Sequence, residues 1–212
     1  RVRGAALFAD ISGFTPLTEA LANELGPHRG AEELTTHLNR VFQTLIDVLH
    51  GFGGHVIYFS GDAITCWFTG DHGLRGAACA LAMQRVMQDF TEITLPSGAA
   101  LPLAMKVGVA AGMARRFVIG DPAIQLMDVM AGALLDDLAE AEHHARQGEV
   151  VLTETAANSI GAAALIDEWR EDAALGQRFG VLRSLTIEVA PAVWDALSTH
   201  NLTDEQIRPW LL

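Results

Sequence analysis

Residues 5–9, Ala-Ala-Leu-Phe-Ala, form an unbroken apolar run, and a carboxylate, Asp10, follows almost at its end. A run of this length closed by the turn formers Ser12 and Gly13 predicts a buried strand that delivers Asp10 to its edge. Pro16, Leu17, Thr18 and Glu19 predict a helix opening there, its first amides beside the acid in the arrangement that receives phosphate. Between residues 30 and 51, Leu34, Leu38, Val41, Leu45, Val48 and Leu49 recur three and four apart, the spacing of an amphipathic helix closed by glycine. Residues 55–59 and 64–68 predict two strands joined by a tight turn at Gly61-Asp62, with Asp62 at the hairpin tip.

Further along, Leu74, Ala77, Ala78, Leu81 and Met87 mark another helix, and residues 91–100, with Pro96, Ser97 and Gly98, predict a loop. Strands are expected over 101–111, 115–119 and 149–152, a helix over 133–145, a helical stretch over 156–165 and an edge strand over 183–189. That order gives an α+β architecture with helices packed on a mainly antiparallel sheet. The 212 residues suit one domain, residues 1–190, followed by a helical segment, 191–212, leading toward a neighbouring domain.

Composition narrows the function classes. Half the residues are apolar, yet no stretch approaches the roughly 20 a membrane-spanning helix needs, and no charged-then-apolar leader opens the chain. No membrane is therefore expected in this segment. Cys66 and Cys79 lack the spacing of a metal knuckle or a redox pair and read as buried thiols in a reducing cytoplasm. A formal net charge of −12 argues against nucleic acid or anionic lipid as a partner. It does not argue against a nucleotide, whose charge metal ions meet locally.

The pieces Leu7-Phe8-Ala9-Asp10-Ile11-Ser12-Gly13-Phe14-Thr15 and Tyr58-Phe59-Ser60-Gly61-Asp62-Ala63 resemble the metal-binding motifs of class III nucleotidyl cyclases, which close ATP or GTP to a 3′,5′-cyclic nucleotide. The likeness runs from about residue 5 to about residue 153. More narrowly, residues 105–112, 118–121 and 132–137 are similar to the first of the two cyclase domains of the soluble, bicarbonate-responsive adenylyl cyclases. The resemblance implies a ferredoxin-like palm core and two Mg²⁺ or Mn²⁺ ions held by Asp10, Asp62 and the carbonyl of Ile11. It implies that Ser12, Gly13, Phe14, Thr15 and Gly61 cradle the phosphates, Phe14 packing beneath the loop or against the nucleotide, and that Lys106 contacts them. Taken singly, Asp10 also fits a helix cap or Asx turn, Asp62 an ordinary hairpin residue, and Lys106 a cation at a strand end.

The same pattern breaks in the second half of the family's site. The ribose-orienting asparagine and transition-state arginine positions read Asp136 and Glu140, and the purine-selecting pair reads Tyr58 and Val129. Tyr58 and Ala139 stand where the subgroup's bicarbonate-binding lysine and arginine belong. The expectation is the metal-binding half of a cyclase, requiring a second cyclase-like domain in cis or trans, with a homodimer weakly active. A regulatory dimerisation domain that binds nucleotide or metal is the alternative; a palm-type polymerase or cyclic-dinucleotide synthase expects a Gly-Gly-Asp/Glu-Glu-Phe turn that Ser60-Gly61-Asp62-Ala63 does not supply. His28, His37, His55, His143 and His144 show no ligand spacing with a second imidazole or thiolate and read as solvated or structural.

Overall fold

A computed structural model describes residues 1–192 and 202–210. Strand β1 (Val2–Ser12) lies inside the main sheet, paired antiparallel with β3 (Ala63–Thr69) on one side and β6 (Ala104–Asp121) on the other. The eight-stranded sheet runs β2 (His55–Ser60), β3, β1, β6, β8 (Val150–Thr153), β10 (Gln177–Leu185), β9 (Ala164–Asp172), while β7 (Gln125–Ala131) pairs with the far end of β6. Only β6 and β8 run parallel among these pairs. A separate two-stranded ribbon, β4 (Ile93–Thr94) and β5 (Ala100–Leu101), sits within the segment expected to be a loop.

Alternation along β1 sorts its side chains between two cores. Ala5, Leu7, Ala9 and Ile11 join the large core under α1 (Phe14–Leu25), α2 (Pro27–Gly51), α3 (Leu74–Val86) and α5 (Glu154–Ile160). Ala6 and Phe8 face the other way, into a smaller core with Trp67, Ala110, Leu134 and Leu138 beneath α4 (Ala133–His143). Burial on both faces is why the strand reads as a continuous apolar run rather than an alternating one. Asp10 continues the Ala6, Phe8 series and so falls on the α4 side of the sheet.

Several expected boundaries shift. The strands expected over 101–111 and 115–119 are one strand, β6, because β1 pairs with it through Ala114 and β7 takes over at Arg115, leaving no gap in the ladder. The helical stretch expected over 156–165 ends at Ile160, followed by a short 3₁₀ turn, and β9 starts at Ala164. β10 begins at Gln177, and the sheet's edge is β9 rather than the strand expected at 183–189. Within the expected C-terminal helical segment, residues 193–201 and 211–212 lie outside the described residues. The rest forms α6 (Asp204–Ile207), opened by a Thr203 capping box, and a 3₁₀ turn at Arg208–Trp210 against β7. Among the described residues no helix is long and apolar enough to cross a membrane.

Helix α4 approaches β6 unusually closely at Gly108. A Cβ there meets the Glu142 amide nitrogen at 2.7 Å and the Leu138 carbonyl at 2.9 Å, so only glycine allows the backbones to touch. Gly108→Val is therefore expected to overpack this contact and cost about 1–3 kcal/mol of unfolding free energy, read by denaturant titration. Unchanged stability would show that α4 does not depend on that contact.

Candidate active site

Asp10 and Asp62 reach one end of the sheet through backbone pairing. Asp10 is opposite Ala63, and the Ile11 amide donates to the Asp62 carbonyl at 3.2 Å, which seats the hairpin tip beside the end of β1. Gly61 supplies the left-handed residue of that turn at φ 65°, and Asp62 is exposed. After Ser12 the chain turns at Gly13, with φ 107° and a would-be Cβ only 2.5 Å from the Pro102 carbonyl; a side chain there meets main chain. Helix α1 then opens at Phe14, two residues before the expected Pro16. The first amides of the helix are those its geometry leaves without an internal acceptor.

Phe14 is buried in the large core, so of its two expected roles it takes packing beneath the loop. Thr15 is exposed. The Ser12 hydroxyl donates to the Ala104 carbonyl at 3.3 Å and accepts from Gln147 Nε2 at 2.9 Å. Gln147 had no signal in the sequence, lying 135 residues away from its partner.

Lys106 stands directly opposite Asp10 on β6. Its Nζ lies 3.5 Å from Asp10 and 2.6 Å from Glu142, a carboxylate carried to it by the α4 contact at Gly108, two residues along the same strand face. Burial raises the Asp10 carboxyl above its ordinary value, and Glu142 adds to the rise while Lys106 opposes it. The hydrogen bond to Glu142 raises the Lys106 ammonium, which Asp10 also favours. The cluster thus holds two carboxylates against one ammonium, a setting in which a further cation at Asp10 is electrostatically favoured. Glu142 was not foreseen; it is separated from Lys106 by 36 residues, and only the packing of α4 joins them.

The two purine-selecting positions do meet. Tyr58 and Val129 line one open groove of 620 Å³, with Ile57, Phe59, Met127 and Met130. The groove is mostly apolar, and Phe117, Val118 and Ile124 of the β6–β7 ribbon are exposed as well. Arg116 holds the ribbon together through a two-pronged ion pair with Asp128. Asp136 and Glu140 sit on α4, Asp136 exposed and Glu140 half-buried. Arg115 is exposed.

His55 is confined at the start of β2, and burial, with help from Arg116, pushes its imidazole down to about 4. It is neutral near pH 7. Cys66 and Cys79 are buried free thiols, and burial pushes both above the ordinary thiol range, which makes them inert.

Two measurements check these electrostatics. Lys106→Met removes the one group holding Asp10 down, so an NMR titration of its carboxyl carbon should show the Asp10 pKa rising further; no rise would mean the ion pair is not formed. For His55, the unfolded chain takes up its proton near the ordinary imidazole value of 6.5 while the folded chain resists until about 4. The unfolded state therefore binds more protons in that window, and stability falls as pH drops from about 6.5 toward 4. His55→Gln should flatten that stretch of the stability profile, and parallel profiles for the two proteins would refute it.

No protein-family model matches the chain. Over 156 residues, 71% of its length, it is 31% identical to adenylate cyclase type 10 of Oryctolagus cuniculus, and it spans 9% of that relative. It superposes on the guanylyl cyclase Cya2 with a TM-score of 0.73 at 21% identity, over 90% of this chain and 97% of that one. On the dimeric guanylyl cyclase domain of the RhoGC fusion protein from Blastocladiella emersonii the TM-score is 0.69 at 13% identity, over 87% and 98%. At such identities the structural likeness speaks for the fold, a mixed α+β domain with a mainly antiparallel sheet. Sequence homology and fold agree: the chain belongs to the class III nucleotidyl cyclase catalytic-domain family.

Proposed function

We propose that this domain is the metal-binding half of a nucleotidyl cyclase that converts ATP to 3′,5′-cyclic AMP and pyrophosphate when a second cyclase-like domain, in the same protein or another chain, completes the site. The observation that carries the reading is the pairing of β1 with the β2–β3 hairpin, which sets Asp62 against Ile11, one position from Asp10, beside the Gly13 turn. Asp10, Asp62 and the Ile11 carbonyl offer only hard oxygen donors, the set that suits Mg²⁺ or Mn²⁺, and the excess of carboxylate around Asp10 fits a cation there. Two such ions, when bound, supply acidity to the attacking hydroxyl and neutralise charge on the phosphates.

The protein's own groups have distinct tasks in that reading. The amides at the start of α1 receive phosphate oxygens, and Gly13 keeps the approach clear. Lys106, on the strand facing Asp10, would be the cation that meets the phosphates. Tyr58 and Val129 put neither a lysine nor an acid at the two positions that select the purine in the family, so the preference for ATP over GTP rests on likeness to the adenylate cyclase relative alone. Glu140 puts an anion where negative charge develops, so a homodimer is a poor cyclase. The domain acts in the cytoplasm, where its two thiols stay reduced.

A second reading, a regulatory dimerisation domain, is favoured by one observation, the exposed apolar ribbon and groove beside an acidic α4. The deciding assay measures cyclic nucleotide from ATP and GTP with Mg²⁺ or Mn²⁺, the chain alone and paired with the segment that follows it in its own gene. The pair should make product and the chain alone little. Asp10→Ala or Asp62→Ala should lower the paired rate on the order of 100-fold or more. If no pairing yields product while metal-nucleotide still binds, the regulatory reading replaces the catalytic one.

A further inference from the structure

We propose a separate divalent-metal site of the zinc class, formed by Glu140 and His144 of α4 and its C-cap together with Asp172 at the end of β9. One ligand atom from each lies within 4.8 Å of the other two, the one such group of three among the described residues. Four residues apart on a helix, Glu140 and His144 share a face, so the helix presents two of the ligands together. The third arrives from a distant strand.

The spacing of two of the ligands suits an ion as well as a hydrogen bond. His144 Nε2 stands 3.4 Å from Asp172 Oδ2. An N–H···O bond prefers about 2.9–3.0 Å, whereas two ligand atoms each about 2.1 Å from a tetrahedral ion are about 3.4 Å apart. The pair, which is hydrogen-bonded at this distance, already has the spacing at which it could share a metal.

Each ligand is also aimed. Asp172 Oδ1 accepts from the Ala174 and Leu175 amides at 2.9 and 3.0 Å, which fixes the carboxylate and leaves Oδ2 toward the ring. The His144 ring stacks on Phe179 with centroids 4.5 Å apart and 23° between planes, and its carbonyl accepts from Arg170. Such outer contacts are what orient ligands before a metal arrives. Among the described residues the Glu140 carboxylate has no hydrogen-bond or ion-pair partner. Arg170, the nearby cation, is already engaged by both Glu149 oxygens at 2.6 and 2.8 Å.

Donor chemistry names the class of ion. An imidazole with two carboxylates suits Zn²⁺, Co²⁺ or Mn²⁺ and disfavours Mg²⁺ and Ca²⁺, which seek oxygen alone. Three protein ligands leave a fourth place for water or a substrate oxygen. Binding here would staple the C-terminal end of α4 to the β9–β10 hairpin.

The test is a Co²⁺ titration followed by visible absorption, run on the chain carrying Asp10→Ala and Asp62→Ala so that the site proposed above for Mg²⁺ contributes nothing. The expected result is one Co²⁺ per folded chain, displaced by Zn²⁺ and untouched by millimolar Mg²⁺, with the melting temperature raised by Zn²⁺. Adding His144→Ala should weaken binding about 10-fold or more, and the milder Glu140→Gln should weaken it too if the alanine variant fails to fold. Absence of Co²⁺ absorption in a folded background chain, or equal binding after both substitutions, overturns the site. Neither readout depends on cyclase activity, so loss of the catalytic reading leaves this one standing and the reverse also holds.

Discussion

A carboxylate at the end of an apolar strand is the constraint from which the rest of this site follows. Asp10 inherits the α4 side of β1 from the alternation that buries Ala6 and Phe8, and there it is partly removed from water. Such a charge persists only with a cation in reach. Lys106 supplies it from the facing strand, and Lys106 is in turn shared with Glu142. The site is therefore built as an anionic cluster with one ammonium, an excess of negative charge that the proposed divalent ions would relieve.

Glu142 reaches that cluster because α4 lies on Gly108 without an intervening side chain. One missing Cβ thus couples packing to electrostatics, since anything that lifts the helix also moves the carboxylate. The same helix carries Asp136 and Glu140, the positions at which this chain departs from the family pattern, and its C-terminal end carries His144. In the proposed function the acidic residues along α4 leave one half of the family's chemistry to a partner domain, and Glu140 with His144 and Asp172 forms the cation site proposed above.

Much of the large core was readable in advance. The apolar run of β1, the three-and-four spacing of α2 and the Gly61-Asp62 turn each carry their own local signal, and each element formed within a few residues of its expected span. Misreadings cluster where pairing, not local pattern, makes the element. Separate strands were expected over 101–111 and 115–119, yet pairing with β1 and β7 holds β6 extended through both. β7 has no turn-bounded alternation strong enough to stand out and exists through its ladder with β6. β9 is mostly solvent-facing, and it is held by β10 and by Arg170 gripping Glu149 rather than by burial.

By itself the sequence determined β1, α2 and the β2–β3 hairpin, and it singled out Asp10, Asp62 and the Gly13 turn, because those depend on periodicity and on local backbone freedom. Only tertiary structure decided that Lys106 answers Asp10, that Glu142 joins them, that Tyr58 and Val129 share a groove, and that Glu140 and His144 meet Asp172. Each of those meetings spans dozens of residues along the chain. Charge and coordination act through distance in space, and a linear order records no such distance until the sheet has set its register and the helix has come to rest on it.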